Sequence, residues 1–126
     1  MFDLDNLKKA NDSYGHDTGD EMLRYFADLL RQQTREGDIL CRYGGDEFVV
    51  ILRHISSLET ILRKGDEICR GFSGYRSADG IPATCSGGVV LCGEDEKPSG
   101  KLIERADRAL YRVKQENKGR CVLWEE

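Results

Sequence analysis

The sequence lacks the features that mark membrane proteins, secreted proteins and general nucleic-acid binders. No apolar run approaches the roughly 20 residues needed to cross a bilayer, and no stretch resembles a secretory signal peptide. Basic residues are not in excess, because 19 Lys and Arg stand against 23 Asp and Glu, for a net charge of −4. We therefore expect a cytoplasmic domain whose partners include neither nucleic acid nor membrane.

Paired cysteines are also missing. The cysteines are odd in number, include no C-x-x-C pair and lie mostly in apolar stretches; they are Cys41, Cys69, Cys85, Cys92 and Cys121. We interpret them as buried free thiols in a reducing compartment. The sequence has no internal repeats, low-complexity tracts or linkers, and its 126 residues predict a single domain with a modest core.

The stretch over residues 39–52 organises the rest of the chain. A short mixed run and an apolar, β-branched run flank Gly44 and Gly45, which predicts two strands joined by a tight turn with positive φ. Asp46 and Glu47 follow the glycines directly. Acids in turns are usually only solvated. Beside bare glycine backbone, however, carboxylates also suit a hard cation such as Mg²⁺ bound to a polyphosphate.

The alternation of strand and helix patterns predicts an α/β (α+β) fold in which helices pack on a sheet. The first predicted strand ends at residue 4. The other predicted strands cover 39–43, 48–52, 83–91 and 121–124. The predicted helices cover 5–10, about 17–36, 58–70 and 102–113, and the predicted loops cover 11–19, 71–82 and 93–100. Gly87 and Gly88 predict a thin, bulged centre for the fourth strand.

Four segments together identify a family resemblance. Residues 44–48 read Gly-Gly-Asp-Glu-Phe, letter for letter the signature of the GGDEF family, the diguanylate cyclase domains. Residues 2–5 with Lys8 resemble the family's first strand, residues 11–20 its N-D-x-x-G-H-x-x-G-D segment, and residues 105–111 with Lys114 its A-D-x-A-L-Y-x-x-K helix. The order and spacing also agree along most of the chain.

The resemblance implies a central, mostly antiparallel sheet wrapped by helices, akin to nucleotidyl cyclase and polymerase palm domains. Family members usually carry several dozen residues before the F-D-x-D strand. We therefore expect residues 1–126 to be one GGDEF domain that lacks the usual N-terminal helix and the start of the first strand.

The resemblance also implies a site for Mg²⁺ or Mn²⁺. Its ligands would be Asp3, the Leu4 carbonyl and Asp46, because pairing of the first strand with the hairpin would bring the two aspartates together. Glu47 would be a further ligand or would help to deprotonate the attacking 3′-hydroxyl, so that Asp46 and Glu47 are the predicted catalytic residues. From the residues alone, Asp3 would be an ordinary strand-end acid.

GTP binding is implied for further positions. Asn11 and Asp20 match the family's guanine-reading residues, and an amide with a carboxylate complements the guanine edge. Without the resemblance they would be a turn residue and an acid favoured by a helix dipole. Gly44, Gly45 and Lys8 are the other predicted substrate contacts.

Cations near the C-terminus are predicted to contact the terminal phosphates of GTP. Lys114 fits the family's lysine, and Lys118 lies four residues further on, where the family has an Arg or Lys. The family's Gly-Arg-Asn ending is absent, so Arg120 is an alternative to Lys118. The ordinary interpretation of such lysines is a favourable interaction with the helix dipole.

Arg35 and Asp38 match the offset of the family's inhibitory product site. There the arginine donates hydrogen bonds to a phosphate and a guanine of cyclic di-GMP, and the aspartate accepts a hydrogen bond from guanine. R-x-x-D is a common string, and its ordinary interpretation is a helix-end Arg with a turn Asp. Glu67 falls where the family often has a second arginine, with Arg70 one turn away.

The predicted function is that of a diguanylate cyclase, which condenses two GTP into cyclic di-GMP and two pyrophosphates. The activity requires two domains face to face, hence a homodimer, and implies a sensory or regulatory domain in the full-length protein. The alternative is a non-catalytic module that binds GTP or cyclic di-GMP. A purely structural interaction domain would leave the clustered acids and glycines unexplained.

Overall fold

The computed structural model describes residues 1–55, 57–75, 80, 82–93, 96–97 and 99–125. Within these residues the chain forms five strands and four helices. In chain order they are β1 (Phe2–Leu4), α1 (Leu7–Tyr14), α2 (His16–Gln33), β2 (Ile39–Arg42), β3 (Glu47–Ile51), α3 (Leu58–Ser73), β4 (Cys85–Val89), α4 (Gly100–Glu116) and β5 (Cys121–Leu123). None of the described helices combines the length and apolar character needed to cross a membrane.

The strands form one sheet in the order β2-β3-β1-β4-β5. Pairing is antiparallel between β2 and β3, β3 and β1, and β1 and β4, whereas β4 and β5 are parallel. This confirms the predicted mixed fold with a mostly antiparallel sheet. The short strand β1 is central, so its residues meet β3 on one side and β4 on the other.

Helices cover both faces of the sheet. Neighbouring strand residues point to opposite faces, so Gly87 and Gly88 of β4 face different layers. A Cβ on Gly87 would meet Phe2 and Cys121, whereas a Cβ on Gly88 would collide with the backbone carbonyl of Ala106 in α4. Strand β4 therefore has no side chain at Gly88, because the backbone of α4 packs directly on that position. It pairs with β1 and β5 in continuous register, so the predicted bulge is wrong.

The aromatic core lies on the face opposite α4. Phe26 of α2 is its centre, with ring centroids 5.7 Å from Phe2, 5.1 Å from Phe48 and 4.9 Å from Phe72, all edge to face. These four rings are buried. Edge-to-face pairs add stability beyond the area that they bury, so this cluster joins α2, α3 and the central strands.

The N-terminal helices differ from the prediction. The predicted loop over residues 11–19 is wrong, and so is the predicted end of the first helix before Asn11, because α1 continues to Tyr14 and α2 begins at His16. Only Gly15 separates them, with a φ of 91° that glycine adopts without steric cost. Asn, Asp and Ser favour loops, but the packing of α1 against α2 overrides that preference.

The predicted hairpin is confirmed, but its turn is built differently. Strands β2 and β3 pair antiparallel as expected. Gly44 and Gly45 do not have the positive φ that the prediction assigned to them. The Arg42 guanidinium instead donates to both carbonyl oxygens, at 3.2 Å from Nε to Gly44 and 2.6 Å from Nη2 to Gly45.

The predicted loops over 71–82 and 93–100 lie partly outside the described residues, and α3 includes residues 71–73.

The cysteines are all free, but only some are buried. Cys69 and Cys85 are buried, Cys121 is partly buried, and Cys41 and Cys92 are exposed. The prediction of buried thiols is therefore wrong for the last two. Cys41 lies on β2, which is an edge strand, and Cys92 follows β4 outside the sheet.

An apolar cavity of about 820 Å³ opens where β3 and β4 extend past the start of β1. Its walls come from the sheet, α3 and α4, and include Val49, Ile61, Ile68, Leu102 and Ile103. None of the predicted site residues lines this cavity. The candidate chemistry therefore lies at the other end of β1.

Candidate active site

Acidic side chains of β1 and β3 come together on the α4 face of the sheet. Asp3 pairs in register with Glu47 of β3, and the Leu4 amide donates to the Asp46 carbonyl oxygen at 3.0 Å. The Asp46 carboxylate lies close enough to that of Asp3 to raise its pKa. Strand pairing thus brings together two aspartates that are far apart in sequence.

The Asp3 carboxylate is poorly solvated. The pKa of Asp3 is raised from 3.8 to about 6, chiefly by burial; Lys114 lowers it and the neighbouring Asp46 raises it. Oδ1 of Asp3 is buried without a hydrogen-bond partner. A buried carboxylate oxygen without a donor is costly, and a bound cation would remove that cost.

The acids fit a metal that is shared with a nucleotide. Among the described residues, no three His, Cys, Asp or Glu side chains converge as a complete protein cage for a cation. Mg²⁺ in nucleotide sites is usually held by one or two carboxylates, with phosphates and water completing the octahedron. Asp3 and Asp46 supply such a pair, and the unpartnered Oδ1 of Asp3 is a free ligand atom.

Lys114, in the last turn of α4, reaches these acids. Its Nζ lies 2.7 Å from Oδ2 of Asp3 and 3.7 Å from Oδ1 of Asp5. Its side chain is 26% exposed, so it is only partly shielded from solvent. The lysine predicted to contact phosphate therefore lies directly beside the predicted metal ligands.

Sequence reasoning assigned no role to Asp5 or Ser86, which form a buried pair beneath this lysine. The Asp5 carboxylate accepts hydrogen bonds from Thr84 Oγ1 at 2.9 Å and from Ser86 Oγ at 2.9 Å. Ser86 Oγ also accepts from the amide of Gly119 at 3.1 Å. A polar side chain in the middle of an apolar strand, as Ser86 is in β4, was the available signal.

The other predicted phosphate contacts are at the surface. Lys118 and Lys8 are exposed, Lys118 in the turn after α4 and Lys8 in the first turn of α1. Arg120, the alternative to Lys118, donates to the Asn117 carbonyl at 3.2 Å and pairs with Glu116 at 3.1 Å. The Arg120 guanidinium is thus already engaged by the end of α4, whereas the Lys118 side chain extends into solvent.

The predicted guanine-reading residues lie on the two N-terminal helices, which pack against each other. Asn11 lies on α1 and Asp20 on α2. A Cβ on Gly19 would collide with the Asn11 side-chain carbonyl, so the amide packs against the residue that precedes Asp20. Oδ1 of Asn11 is buried without a hydrogen-bond partner, while Asp20 is exposed.

Arg35 and Asp38 form a compact unit in the connection between α2 and β2. The Asp38 carboxylate accepts from the backbone amides of Arg35 at 2.8 Å and Arg53 at 2.9 Å. The Arg35 guanidinium donates to the Arg53 carbonyl at 3.0 Å. Slight burial raises the pKa of Asp38, but the two backbone N–H groups and Arg35 outweigh it and lower the pKa overall.

An α3 cation other than Arg70 acts on this unit. Glu67 and Arg70 are both exposed on α3. Lys64, one turn earlier, donates to the Gln33 carbonyl at 2.6 Å, and its charge acts on Asp38. The predicted R-x-x-D unit therefore has a lysine beside it.

The comparisons with known proteins agree with this architecture. Residues 1–120 match the family model described as "Diguanylate cyclase, GGDEF domain". Diguanylate cyclase DgcZ of Escherichia coli K12 is 36% identical over 129 residues, covering 100% of this chain and 43% of that protein. Response regulator PleD of Caulobacter vibrioides NA1000 is 40% identical over 128 residues, covering 97% of this chain and 28% of that protein. The chain belongs to the GGDEF family.

Solved structures give the same result. The active GGEEF domain of a diguanylate cyclase from Vibrio cholerae superposes with a TM-score of 0.89 at 28% identity, covering 99% of this chain and 80% of that one. The GGDEF domain of DgcB from Caulobacter crescentus, in complex with c-di-GMP, gives 0.84 at 29% identity, covering 99% and 75%. The chain spans less than half the length of the two curated relatives above.

Proposed function

We propose that this domain is a diguanylate cyclase that condenses two GTP molecules into cyclic di-GMP and two pyrophosphates. The observation that carries the proposal is the unpartnered Oδ1 of Asp3. It lies beside Asp46, and Nζ of Lys114 lies 2.7 Å from Oδ2 of the same aspartate, Asp3. A carboxylate pair for a metal next to a cation for phosphate suits phosphoryl transfer.

The acidic residues would hold Mg²⁺ or Mn²⁺. Asp3, the Leu4 carbonyl and Asp46 are the proposed ligands, with Glu47 as a further ligand or as the group that accepts the proton of the 3′-hydroxyl. A metal held by these residues would supply neutralisation of the negative charge on the α-phosphate. Asp46 and Glu47 are the proposed catalytic residues.

The remaining residues bind and orient GTP. Lys114, Lys118 and Lys8 would contact the phosphates, and the bare backbone of Gly44 and Gly45 allows the nucleotide to approach the hairpin closely. Positioning of this kind supplies a large part of the rate enhancement when the chemistry joins two bound molecules.

Asn11 and Asp20 would read guanine. The buried, unpartnered Oδ1 of Asn11 can accept from a guanine N–H group, and the exposed Asp20 carboxylate can accept from a second one. Adenine has no amine at the corresponding position. A site that leaves polar groups unpaired with the wrong base discriminates strongly against it.

Catalysis would require a homodimer. The described residues hold one proposed metal pair and one proposed guanine-reading pair per chain, whereas the product joins two nucleotides. Two domains must therefore present their GTP molecules to each other. A sensory or regulatory domain elsewhere in the full-length protein would control this encounter in the cytoplasm.

Arg35 and Asp38 would form an inhibitory site for cyclic di-GMP. The bonds from the amides of Arg35 and Arg53 hold Asp38 in place and leave lone pairs on its carboxylate for a guanine. Lys64, whose charge acts on Asp38, would add positive charge to this site. The related GGDEF domain of DgcB forms a complex with this nucleotide, which supports the same ligand here.

The test is to incubate the purified protein with GTP and Mg²⁺ and to look for cyclic di-GMP by mass spectrometry. Glu47→Gln is the matched control, because it keeps the side-chain shape and removes the charge. Product from the wild type and not from the control supports the proposal. GTP binding without product at high protein concentration would instead indicate the non-catalytic binding module.

A further inference from the structure

We propose that Asp5 and Ser86 are positioning residues, which set the Lys114 ammonium and the turn over residues 117–120 against the polyphosphate of the bound nucleotide. This inference rests on the proposed function and deepens it. Asp5 and Ser86 lie beneath the proposed phosphate-binding cations and do not themselves touch substrate.

The burial of Asp5 is the first observation. Its side chain is only 1% exposed, although it carries a carboxylate. Burying a charge is costly unless the group is paired and hydrogen-bonded. Its hydrogen-bond donors, Thr84 and Ser86, are neutral hydroxyls, and Lys114 is its ion-pair partner at 3.7 Å. The buried charge thus acts on Lys114.

The sharing of Lys114 between two carboxylates is the second observation. Nζ is closer to Asp3, at 2.7 Å, than to Asp5, at 3.7 Å. Asp3 is a proposed metal ligand, and a carboxylate that binds a cation attracts a neighbouring ammonium less strongly. Asp5 is buried on the same side of Lys114 and is not a proposed ligand. It therefore retains the ammonium over the acids when Asp3 is engaged.

The double role of the Ser86 hydroxyl is the third observation. Ser86 is fully buried, donates to Asp5 at 2.9 Å and accepts from the Gly119 amide at 3.1 Å. Gly119 lies between Lys118 and Arg120, in the turn that follows α4. One carboxylate therefore orients Lys114 directly and, through Ser86, the turn that bears the next two cations.

A purely structural role makes a different prediction. If Asp5 only ties β1 to β4, then Thr84 and Ser86 are equivalent, because each gives it one hydroxyl donor. Loss of either hydroxyl would lower the stability of the fold by a similar amount. It would leave the affinity for a GTP analogue relative to guanosine unchanged. Thr84→Val and Ser86→Ala are therefore matched variants, and only Ser86→Ala also removes the partner of Gly119.

The first experiment measures dissociation constants by calorimetry in Mg²⁺ for a non-reactive GTP analogue and for guanosine. We expect Asp5→Asn and Ser86→Ala each to weaken analogue binding about tenfold, the scale of one lost charge-assisted contact. Guanosine binding should change less than about twofold, and Thr84→Val should weaken analogue binding less than about threefold. Equal effects of Ser86→Ala and Thr84→Val on the analogue would overturn the proposal for Ser86.

The second experiment needs no nucleotide and so separates this proposal from the proposed function. It compares the Nζ–H signal of Lys114 by NMR in the wild-type protein, Asp5→Asn and Thr84→Val. The signal should shift or broaden in Asp5→Asn and stay near its wild-type position in Thr84→Val. An unchanged signal in Asp5→Asn would overturn the role of Asp5. Failure of the wild type to bind the analogue would count against the proposed function alone.

Discussion

The ammonium nitrogen of Lys114 lies 2.7 Å from Oδ2 of Asp3 and joins the end of α4 to the central strand of the sheet. This ion pair does not fully offset the effect of burial on the Asp3 carboxylate. Burial and the adjacent Asp46 still raise the pKa of Asp3 to about 6, above its ordinary value of 3.8. The site thus keeps an acid in an unfavourable position, as expected where a cation is to bind.

Asp3 should make the metal-free protein more stable as the pH falls through 6. Its folded pKa of about 6 exceeds the ordinary value of 3.8, so the folded state binds the proton more tightly than the unfolded chain. The destabilising contribution is therefore fully present above pH 6 and absent below 3.8. We expect Asp3→Asn to abolish this contribution, which amounts to about 3 kcal/mol between pH values well above 6 and well below 3.8.

The measurement is urea unfolding of the wild-type protein and Asp3→Asn from pH 4 to pH 8 in a chelator. Comparison with the variant cancels the other titrating groups. The variant should be the more stable of the two at pH 8, and the difference should shrink toward pH 4. A difference that does not vary with pH would contradict the raised pKa.

Asp46→Asn should abolish Mg²⁺-dependent activity and leave the fold intact, because a turn tolerates an amide. Loss of a metal ligand in a phosphoryl-transfer site lowers the rate by roughly 10²-fold or more. Steady-state cyclic di-GMP synthesis measures the effect. Asp28→Asn is the control, since Asp28 is exposed and forms a surface ion pair with Arg31 on α2. Activity of Asp46→Asn within a few-fold of the wild type would exclude Asp46 as a ligand.

GTP should bind more tightly than ATP, by a few kcal/mol, because Asn11 and Asp20 would be left unpaired by adenine. Calorimetry with both nucleotides measures the preference. Asp20→Ala should reduce it mainly through weaker GTP binding. Asp12→Ala, which removes another exposed acid next to Asn11, is the control and should leave the preference unchanged. Equal wild-type affinities for GTP and ATP would rule out the assignment of these two residues.

Arg35→Ala should weaken cyclic di-GMP binding while GTP binding stays nearly constant. The guanidinium would supply a bidentate, charge-assisted contact, and its loss should cost about 1.5–3 kcal/mol. Arg31→Ala is the matched control, because Arg31 is an exposed arginine one turn earlier that pairs with Asp28. Titrations with cyclic di-GMP measure both variants. If Arg35→Ala and Arg31→Ala bind alike, Arg35 is only a helix-end cation.

Gly88→Ala should destabilise the fold by about 3 kcal/mol or more, because its Cβ would collide with backbone atoms of α4 that cannot rotate away. Gly100→Ala is the control. A Cβ there meets nothing within 4 Å, so this change at the start of α4 should be neutral or slightly stabilising. Thermal unfolding measures both variants, and similar midpoints for the two would contradict the close packing of α4 on β4.

The sequence alone was sufficient for the fold class and for the positions of most elements. The apolar stripe of α4 and the run after Gly45 predicted a helix and a strand that the structure contains, because such periodicities report which face is buried. The sequence also placed Asp46 correctly in the hairpin turn, whereas Glu47, predicted in the same turn, is the first residue of β3. Prediction failed over residues 11–19, where Asn, Asp and Gly favour a loop but packing between α1 and α2 imposes helix on both sides of Gly15.

The sequence by itself determined which residue types are available for the chemistry, since the G-G-D-E-F signature and the flanking motifs are local patterns. Only the tertiary structure decided which of them meet. Strand pairing brings Asp3 close to Asp46, and α4 brings Lys114 onto Asp3. Strand β4 places Ser86 within hydrogen-bonding distance of Asp5. Such contacts depend on the burial, register and packing of segments far apart in the chain, which no local pattern records.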